Sequence, residues 1–170
     1  LVEGDLTAAN AEEMKIKTNF YYKGFSKIVM SNGIEEAGVN FREPMFYLVR
    51  RGTMEDSLDQ ALKVQALDEG VEINFSSSMA EEEADIVASG PNPRVHIAID
   101  KGIVFETEMD DVAIVLLNNE AAYKGYSYLL VAGGYGCMCT VVFQDLSLVD
   151  KCWNKTQEIL GKIIDLDIRN

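Results

Sequence analysis

Two consecutive arginines, Arg50 and Arg51, lie between a short apolar run and a segment that carries helix-capping residues. A guanidinium at such a position can meet an anion, because the amides at a helix N-terminus add to the attraction of the planar cation. The residue types leave two interpretations open. Either the arginines bind an anionic group of a ligand, or they pair with nearby acidic side chains at the surface.

A second candidate is the run Lys124-Gly125-Tyr126-Ser127-Tyr128-Leu129-Leu130. In a strand, Tyr126, Tyr128 and Leu130 point to the same face because successive side chains alternate. They would form a flat apolar and aromatic wall, which suits a hydrophobic ligand or the core of a sheet. Residue chemistry by itself favours the core and leaves the ligand as the alternative.

Cys137 and Cys139 share a strand face by the same alternation, so two thiols could begin a metal site. No second pair of cysteines exists, and His96 is the only histidine, which excludes clusters built on several histidines. We therefore predict small core residues at the two cysteines, a surface or half-buried strand position for His96, and no metal site. Asp110 and Asp111 are expected in a solvated turn.

The glycine-rich run from Gly133 to Met138 has only a superficial likeness to a nucleotide-binding loop. It lacks the GxGxxG spacing, and the residues after it predict a strand instead of a helix. The helix N-terminus that would hold a pyrophosphate is therefore missing. We interpret this run as a connection between two strands.

Apolar periodicity and turn signals predict the elements that position these residues. One helix begins after the cap Ser57 and ends before Gly70, and a second begins after Ser147. The order strand, helix, glycine, strand around the first helix indicates a βαβ-like unit. The expected fold class is α+β, with a broad, mostly antiparallel sheet packed by helices. Strands are predicted at 20–30, 45–50, 71–75, 84–88, 95–106, 112–117, 126–131 and 137–143.

Length and composition are those of one globular domain spanning residues 1–170, with 48% hydrophobic and 25% charged residues. The formal charge of -13 makes nucleic acid a poor partner. No apolar run approaches the roughly 20 residues that span a bilayer. Three sparse cysteines do not indicate a disulfide scaffold, so a reducing cytoplasmic setting is expected.

Two segments resemble group A flavoproteins, a class of FAD-dependent oxidoreductases. Tyr47–Gly52, Ser57–Leu62, Gln65-Ala66 and Gly70-Val71 are similar to a strand ending in Arg that leads into a helix reading L-D-x-x-L-x-x-x-A, with Gly-Val after it. Ala84–Gly90 is similar to the later A-D-x-V-x-x-x-G strand, which in that family returns to the FAD domain.

A third segment resembles geranylgeranyl reductases within this class. Tyr126–Leu130 falls where those enzymes carry Y-x-W-x-F-P, a motif that lines the isoprenoid tunnel. Tyr126 matches, whereas Tyr128 stands for Trp, Leu130 for Phe and Val131 for Pro. With these departures, the resemblance implies a reductase-like flavoprotein of unassigned substrate.

The resemblance implies the substrate-side domain of a PHBH-type flavoprotein, which transfers hydride from flavin to a hydrophobic substrate. By the resemblance, Arg50 or Arg51 would lie near the flavin or its phosphates. Tyr126, Tyr128 and Leu130 would face the substrate. No residue of the sequence is nominated as the proton donor.

The family's β–GxGxxG–α unit and its later G-D-A-x-G segment are absent from this sequence. The expected partner is therefore the missing FAD-binding domain, and the isolated chain is expected to bind no FAD and to be inactive. Homodimer formation through an exposed apolar face is a further expectation, as is peripheral membrane association of the intact protein. The alternative is a stand-alone module that binds a hydrophobic ligand or a protein without catalysis.

Overall fold

A computed structural model of the chain describes residues 11, 13–88, 90 and 97–169. The described residues form two compact units. The sheet unit comprises 23–48 and 97–169, and the helix unit comprises the described residues before position 23 and from 49 to 90. Within the described ranges, no helix is both long and apolar enough to cross a membrane.

A six-stranded sheet dominates the sheet unit, with strand order β3-β2-β6-β7-β8-β5. Neighbouring strands are antiparallel except for β2 and β6, which run parallel. β1 and β4 form a separate two-stranded sheet. The strands are β1 (Tyr22–Phe25), β2 (Lys27–Ser31), β3 (Glu36–Asn40), β4 (Phe46–Val49), β5 (Ile99–Glu106), β6 (Val112–Leu116), β7 (Tyr126–Ala132) and β8 (Tyr135–Val142).

Helix α2 (Val149–Ile163) covers one face of this sheet, which we call the helix face. Its buried residues recur at the spacing of one helical stripe: Cys152, Trp153, Thr156, Ile159 and Leu160. Trp153 and Leu160 join Leu129, Val131 and Met138 from β7 and β8 in one apolar cluster. Burial of this cluster from water is the main stabilising contribution to the unit.

Two glycines allow the central strands to approach their neighbours. A Cβ at Gly125, just before β7, would lie 1.9 Å from the carbonyl oxygen of Val141. A Cβ at Gly136 in β8 would lie 2.3 Å from the ring of Phe105. The glycine-rich run therefore makes the β7–β8 connection predicted from sequence, with Gly133 and Gly134 at positive φ in the turn.

Helix α1 (Leu58–Asp68) of the helix unit has both of its predicted caps. The Ser57 hydroxyl accepts a hydrogen bond from the Gln60 amide at 3.2 Å. At the other end Gly70 has φ +84, and the Gly70 and Val71 amides donate to Leu67 and Ala66, which is a Schellman motif. Among the residues of α1, Ala61 is buried, whereas Leu62 is exposed.

The α+β class and the broad, mostly antiparallel sheet are confirmed. The predicted strands at 71–75 and 84–88 are wrong, because these residues pair with no neighbouring strand, and the βαβ-like unit fails with them. The predicted strand at 20–30 is interrupted at Ser26 and forms β1 and β2. Ser147 is not the cap of α2; it lies in the 3₁₀ turn Leu146–Leu148, and its hydroxyl donates to Asp145.

Candidate functional site

The face of the six-stranded sheet opposite α2 carries Tyr126, Tyr128 and Leu130, and we call it the tyrosine face. All three side chains are half-buried, whereas Ser127 and Leu129 between them are fully buried on the helix face. The three side chains therefore point to the same face, as the alternation along β7 predicts.

Strand register sets the neighbours of Tyr128. Met30, Val115, Tyr128, Cys139 and Gly102 occupy one row across β2, β6, β7, β8 and β5. Residues paired directly across strands point to the same face, so this row runs through the middle of the tyrosine face. Tyr128 lies between an aliphatic half of the row and a half that contains a thiol.

Aromatic rings extend the wall along β7 and β8. The Tyr126 ring centroid lies 6.3 Å from that of Tyr128 and 6.3 Å from that of Phe143, in tilted arrangements. Such contacts fix the rings relative to one another while leaving their outer edges in solvent. The arrangement gives a flat, mostly apolar surface on which the two tyrosine rings carry the phenol hydroxyls.

Two thiols accompany Tyr128 on this face. Burial raises the pKa of the Tyr128 hydroxyl above its ordinary value, and the neighbouring Cys137 and Cys139 raise it further. Burial also raises the pKa of both thiols, with an additional contribution from the Asp100 carboxylate. All three groups are therefore protonated at neutral pH.

Both arginines of the helix unit are engaged by carboxylates. Arg50 pairs with Asp56, and its guanidinium carbon lies 4.8 Å from the centre of the Tyr21 ring. Arg51 makes a bidentate pair with Asp59 at 2.8 and 2.9 Å. The Arg51 hydrogen bond and the Gly52 amide hold the pKa of Asp59 far below its usual range.

Arg50 and Arg51 thus show the surface pairing that the sequence left open as an alternative. They belong to the helix unit, and the three wall residues belong to the sheet unit. Each guanidinium already has a carboxylate partner, so an anionic ligand would have to share the guanidinium or displace that carboxylate. Their assignment to cofactor binding stays a prediction.

The other candidate residues from the sequence are Asp111, Asp110 and His96. Asp111 pairs with Lys23 at 2.6 Å and accepts a hydrogen bond from the Gly133 amide at 3.0 Å, so it braces the β7–β8 turn. Asp110 is exposed, as predicted for a solvated turn. His96 lies outside the described residues. Among the residues that the structure describes, no group of three or more His, Cys, Asp or Glu side chains could hold a metal ion.

Sequence reasoning missed a buried cluster of hydroxyls under the helix face. Thr140 and Thr156 donate to the carbonyl oxygen of Ala121 at 2.6 and 3.0 Å, and the Ser127 hydroxyl lies 2.8 Å from that of Thr156. The three hydroxyl residues are fully buried and join β7, β8, α2 and the turn before β7. They are distant in sequence, so no local spacing could have revealed them.

No family model, no curated protein sequence and no solved structure matches the chain. Support for a function therefore comes from the geometry of the tyrosine face and from the motif resemblance.

Proposed function

We propose that this chain is the substrate-side part of an FAD-dependent oxidoreductase similar to geranylgeranyl reductases. A hydrophobic substrate would lie on the tyrosine face while reduced flavin supplies hydride. The observation that carries the proposal is the half-exposure of Tyr126, Tyr128 and Leu130 on the face opposite α2. Side chains of this kind usually complete their burial against a ligand or another surface.

The chemistry of the tyrosine face supports an apolar substrate. Tyr128, Cys137 and Cys139 are uncharged at neutral pH because their pKa values are raised. A hydrocarbon chain gains about 0.8 kcal/mol for each buried CH₂ group, and it needs no charged partner. An isoprenoid chain therefore suits this surface better than a sugar or a nucleotide does.

The flavin is assigned to a partner domain, because neither arginine offers a guanidinium that is free of a carboxylate. Exposed apolar side chains of the helix unit support the docking of such a domain. Phe75, Met79 and Ile86 are 70%, 69% and 85% exposed on segments without regular pairing. Their burial against an FAD-binding domain would remove an apolar surface that a free-standing unit seldom leaves in water.

A second candidate is ligand binding without catalysis. The pairing of Arg50 with Asp56 and of Arg51 with Asp59 favours it, since a module without flavin has no other use for these guanidinium groups. Both candidates place the ligand on the tyrosine face. They differ in whether a flavin domain belongs to the same protein.

Ligand binding is tested by titrating the chain with geranylgeraniol in mild detergent and following the heat of binding. We expect Tyr126→Ala and Tyr128→Ala to weaken binding at least tenfold each, because each removes one ring of the wall. Tyr123→Ala is the matched control; Tyr123 lies beside Asn154 and Lys155 of α2. Equal affinity in all four proteins would place the ligand elsewhere.

The flavin part is tested by sequencing the gene on both sides of this segment. An upstream frame that encodes β–GxGxxG–α and a downstream frame that encodes G-D-A-x-G would support the oxidoreductase. Stop and start codons close to both ends would contradict it and leave the binding module. Flavin absorbance in the purified isolated chain would contradict the assignment of FAD to a partner domain.

A further inference from the structure

We propose that Asn32 is a site of self-modification, at which the turn between β2 and β3 forms isoaspartate. The main-chain nitrogen of Gly33 attacks the side-chain amide of Asn32, ammonia leaves, and water opens the succinimide ring that results. The inference is independent of the proposed function. Asn32 is the only asparagine of the sequence that precedes a glycine, and the turn holds this pair by a defined set of hydrogen bonds.

Glycine at position 33 provides an unhindered nucleophile. Attack on Cγ of Asn32 closes a ring through the nitrogen of the next residue, and a side chain on that residue would crowd the approach. The fold itself requires glycine at this position. Gly33 has φ +90, and a Cβ there would lie 3.3 Å from Cγ2 of Ile159. The shape of the turn therefore removes the steric protection of the neighbouring amide.

The hydrogen bond of the Gly33 nitrogen leaves the sheet intact during the reaction. Its N–H donates to the Ser31 hydroxyl at 3.0 Å. This hydrogen bond lies outside the β2–β3 ladder, whose last paired residues are Ser31 and Glu36. The nitrogen can therefore lose its proton to a base without disrupting strand pairing.

The side-chain carbonyl of Asn32 is prepared for attack. Its Oδ1 accepts hydrogen bonds from the Ile34 and Glu35 amides, each at 2.8 Å. Two donors polarise the carbonyl and stabilise the negative charge that develops on oxygen when a nitrogen adds to Cγ. They also fix the orientation of the amide, because its nitrogen could not accept these hydrogen bonds. Asn32 is exposed, so ammonia can leave and water can enter.

The reaction balances with water as the only co-reactant. The bond from the Gly33 nitrogen to Cγ forms as the bond from Cγ to Nδ2 breaks, and the proton of the Gly33 amide ends on the departing ammonia. Water then adds to the main-chain carbonyl of Asn32, and the bond from that carbonyl to the Gly33 nitrogen breaks. The chain now continues through Cγ and carries a free α-carboxylate, which is isoaspartate. Addition of water at Cγ instead gives aspartate.

Isoaspartate should weaken the pairing of β3. The main-chain carbonyl oxygen of Asn32 accepts a hydrogen bond from Nδ2 of Asn118 at 2.8 Å, which ties this turn to the one after β6. The modification lengthens the main chain by one methylene group and converts this carbonyl into a carboxylate. Turn length and geometry set the register of a hairpin. Within the described part of the chain, β3 pairs only with β2, so no second strand supports it.

The reaction is tested by incubating the full chain at pH 8 in dilute buffer and mapping its peptides by mass spectrometry. We expect Asn32 to gain the mass that replaces NH₂ by OH, mostly in a form that an aspartate-specific protease does not cleave. Asn40 is the internal control, since it is exposed at the end of the same hairpin and precedes Phe41. Asn40 should react at least about tenfold more slowly, because Phe41 crowds the attacking nitrogen.

Asn32→Asp is the matched variant. It keeps the Oδ1 acceptor of the turn and removes ammonia as the leaving group, so isoaspartate should form at least about tenfold more slowly. Hydrogen exchange separates the added charge from the altered backbone. The β3 amides of the variant should keep their wild-type protection, whereas those of the isoaspartate form should exchange at least about tenfold faster.

A chain unfolded in urea shows whether the folded turn reacts directly. A reaction that required global unfolding would be slowed about 1,000-fold or more in the folded chain. We expect a folded rate within about tenfold of the unfolded rate, because the turn reacts without opening the sheet. A folded rate below this range would overturn the proposal, as would equal rates at Asn32 and Asn40. Isoaspartate that forms as fast in Asn32→Asp as in the wild type would also contradict it.

Discussion

The two faces of the six-stranded sheet differ although the same strands make both. On the helix face, Leu129, Val131 and Met138 are fully buried against α2, and every hydroxyl of the Ser127, Thr140 and Thr156 cluster is within hydrogen-bonding distance of a partner. On the tyrosine face, Tyr126, Tyr128 and Leu130 are only half-buried. Neighbouring residues of one strand thus contribute to folding on one side and, under the proposed function, to recognition on the other.

Physical chemistry explains why the tasks separate. A closed face gains stability from packing and from satisfied polar groups. A face that must receive a ligand keeps apolar area in water until the ligand arrives, so it contributes less to folding. The account therefore expects substitutions on the helix face to change stability and substitutions on the tyrosine face to change binding.

The largest difference in stability is expected between alanine substitutions at two adjacent leucines. Leu129→Ala on the helix face should lower the free energy of unfolding by about 2–5 kcal/mol, because it leaves a cavity in a closed core. Leu130→Ala on the tyrosine face should cost less than half as much. Urea denaturation of both variants measures the difference, and equal losses would contradict the division into two faces.

Removal of one of the buried hydroxyls should have the next largest effect on stability. Thr156→Val removes one of the three hydroxyls within hydrogen-bonding distance of the Ala121 carbonyl and a partner of Ser127, which should cost about 1–2 kcal/mol. Thr53→Val, at an exposed position, is the matched control. Thermal unfolding compares the two, and a neutral Thr156→Val would mean that the cluster does not stabilise the helix face.

The reactivity of the three cysteine thiols should distinguish the two faces in the unmutated protein. With iodoacetamide under native conditions, half-buried Cys137 should be alkylated first, Cys139 more slowly, and Cys152 only on unfolding. Because burial raises the pKa of Cys137, its rate should keep rising with pH above 8.5, where a free thiol begins to level off. Mass spectrometry of the digested protein gives the order, and early labelling of Cys152 would contradict it.

The smallest effect is expected at Asp111, which immediately precedes β6. The Lys23 ion pair lowers the pKa of Asp111 in the folded state, so its contribution is present above the unfolded pKa of about 3.9 and is lost as pH falls through the folded value. Asp111→Asn should lower stability at pH 7 by less than about 1 kcal/mol, since the pair is partly exposed. Denaturation at pH 7 and pH 3 should show the difference shrinking; a constant difference would contradict the linkage.

Sequence patterns predicted the tyrosine face better than the framework around it. The alternation from Tyr126 to Val131 placed the wall residues on one side of a strand, because a period of two leaves no other arrangement. The segment 71–75 has the same β-rich composition, yet it pairs with no strand. β-propensity describes fit to a partner, and the partner is not encoded locally.

The edge strand and the hydroxyl cluster escaped prediction for a related reason. β3 (Glu36–Asn40) contains Glu, Ala, Gly and Asn, which are poor strand formers, and it forms by pairing with β2 through a tight turn. Ser127, Thr140 and Thr156 meet only because β7, β8 and α2 pack together. Contacts of this kind follow from tertiary structure and leave no signal in local spacing.

The most direct test of the central claim is an NMR titration of the isotope-labelled chain with geranylgeraniol, recorded on methyl and aromatic carbons. The account predicts shifts that concentrate on Tyr126, Tyr128, Leu130 and Val115, with Leu129, Val131 and Leu160 nearly unchanged. Shifts confined to the helix face, or none at saturating ligand, would contradict the assignment of recognition to the tyrosine face.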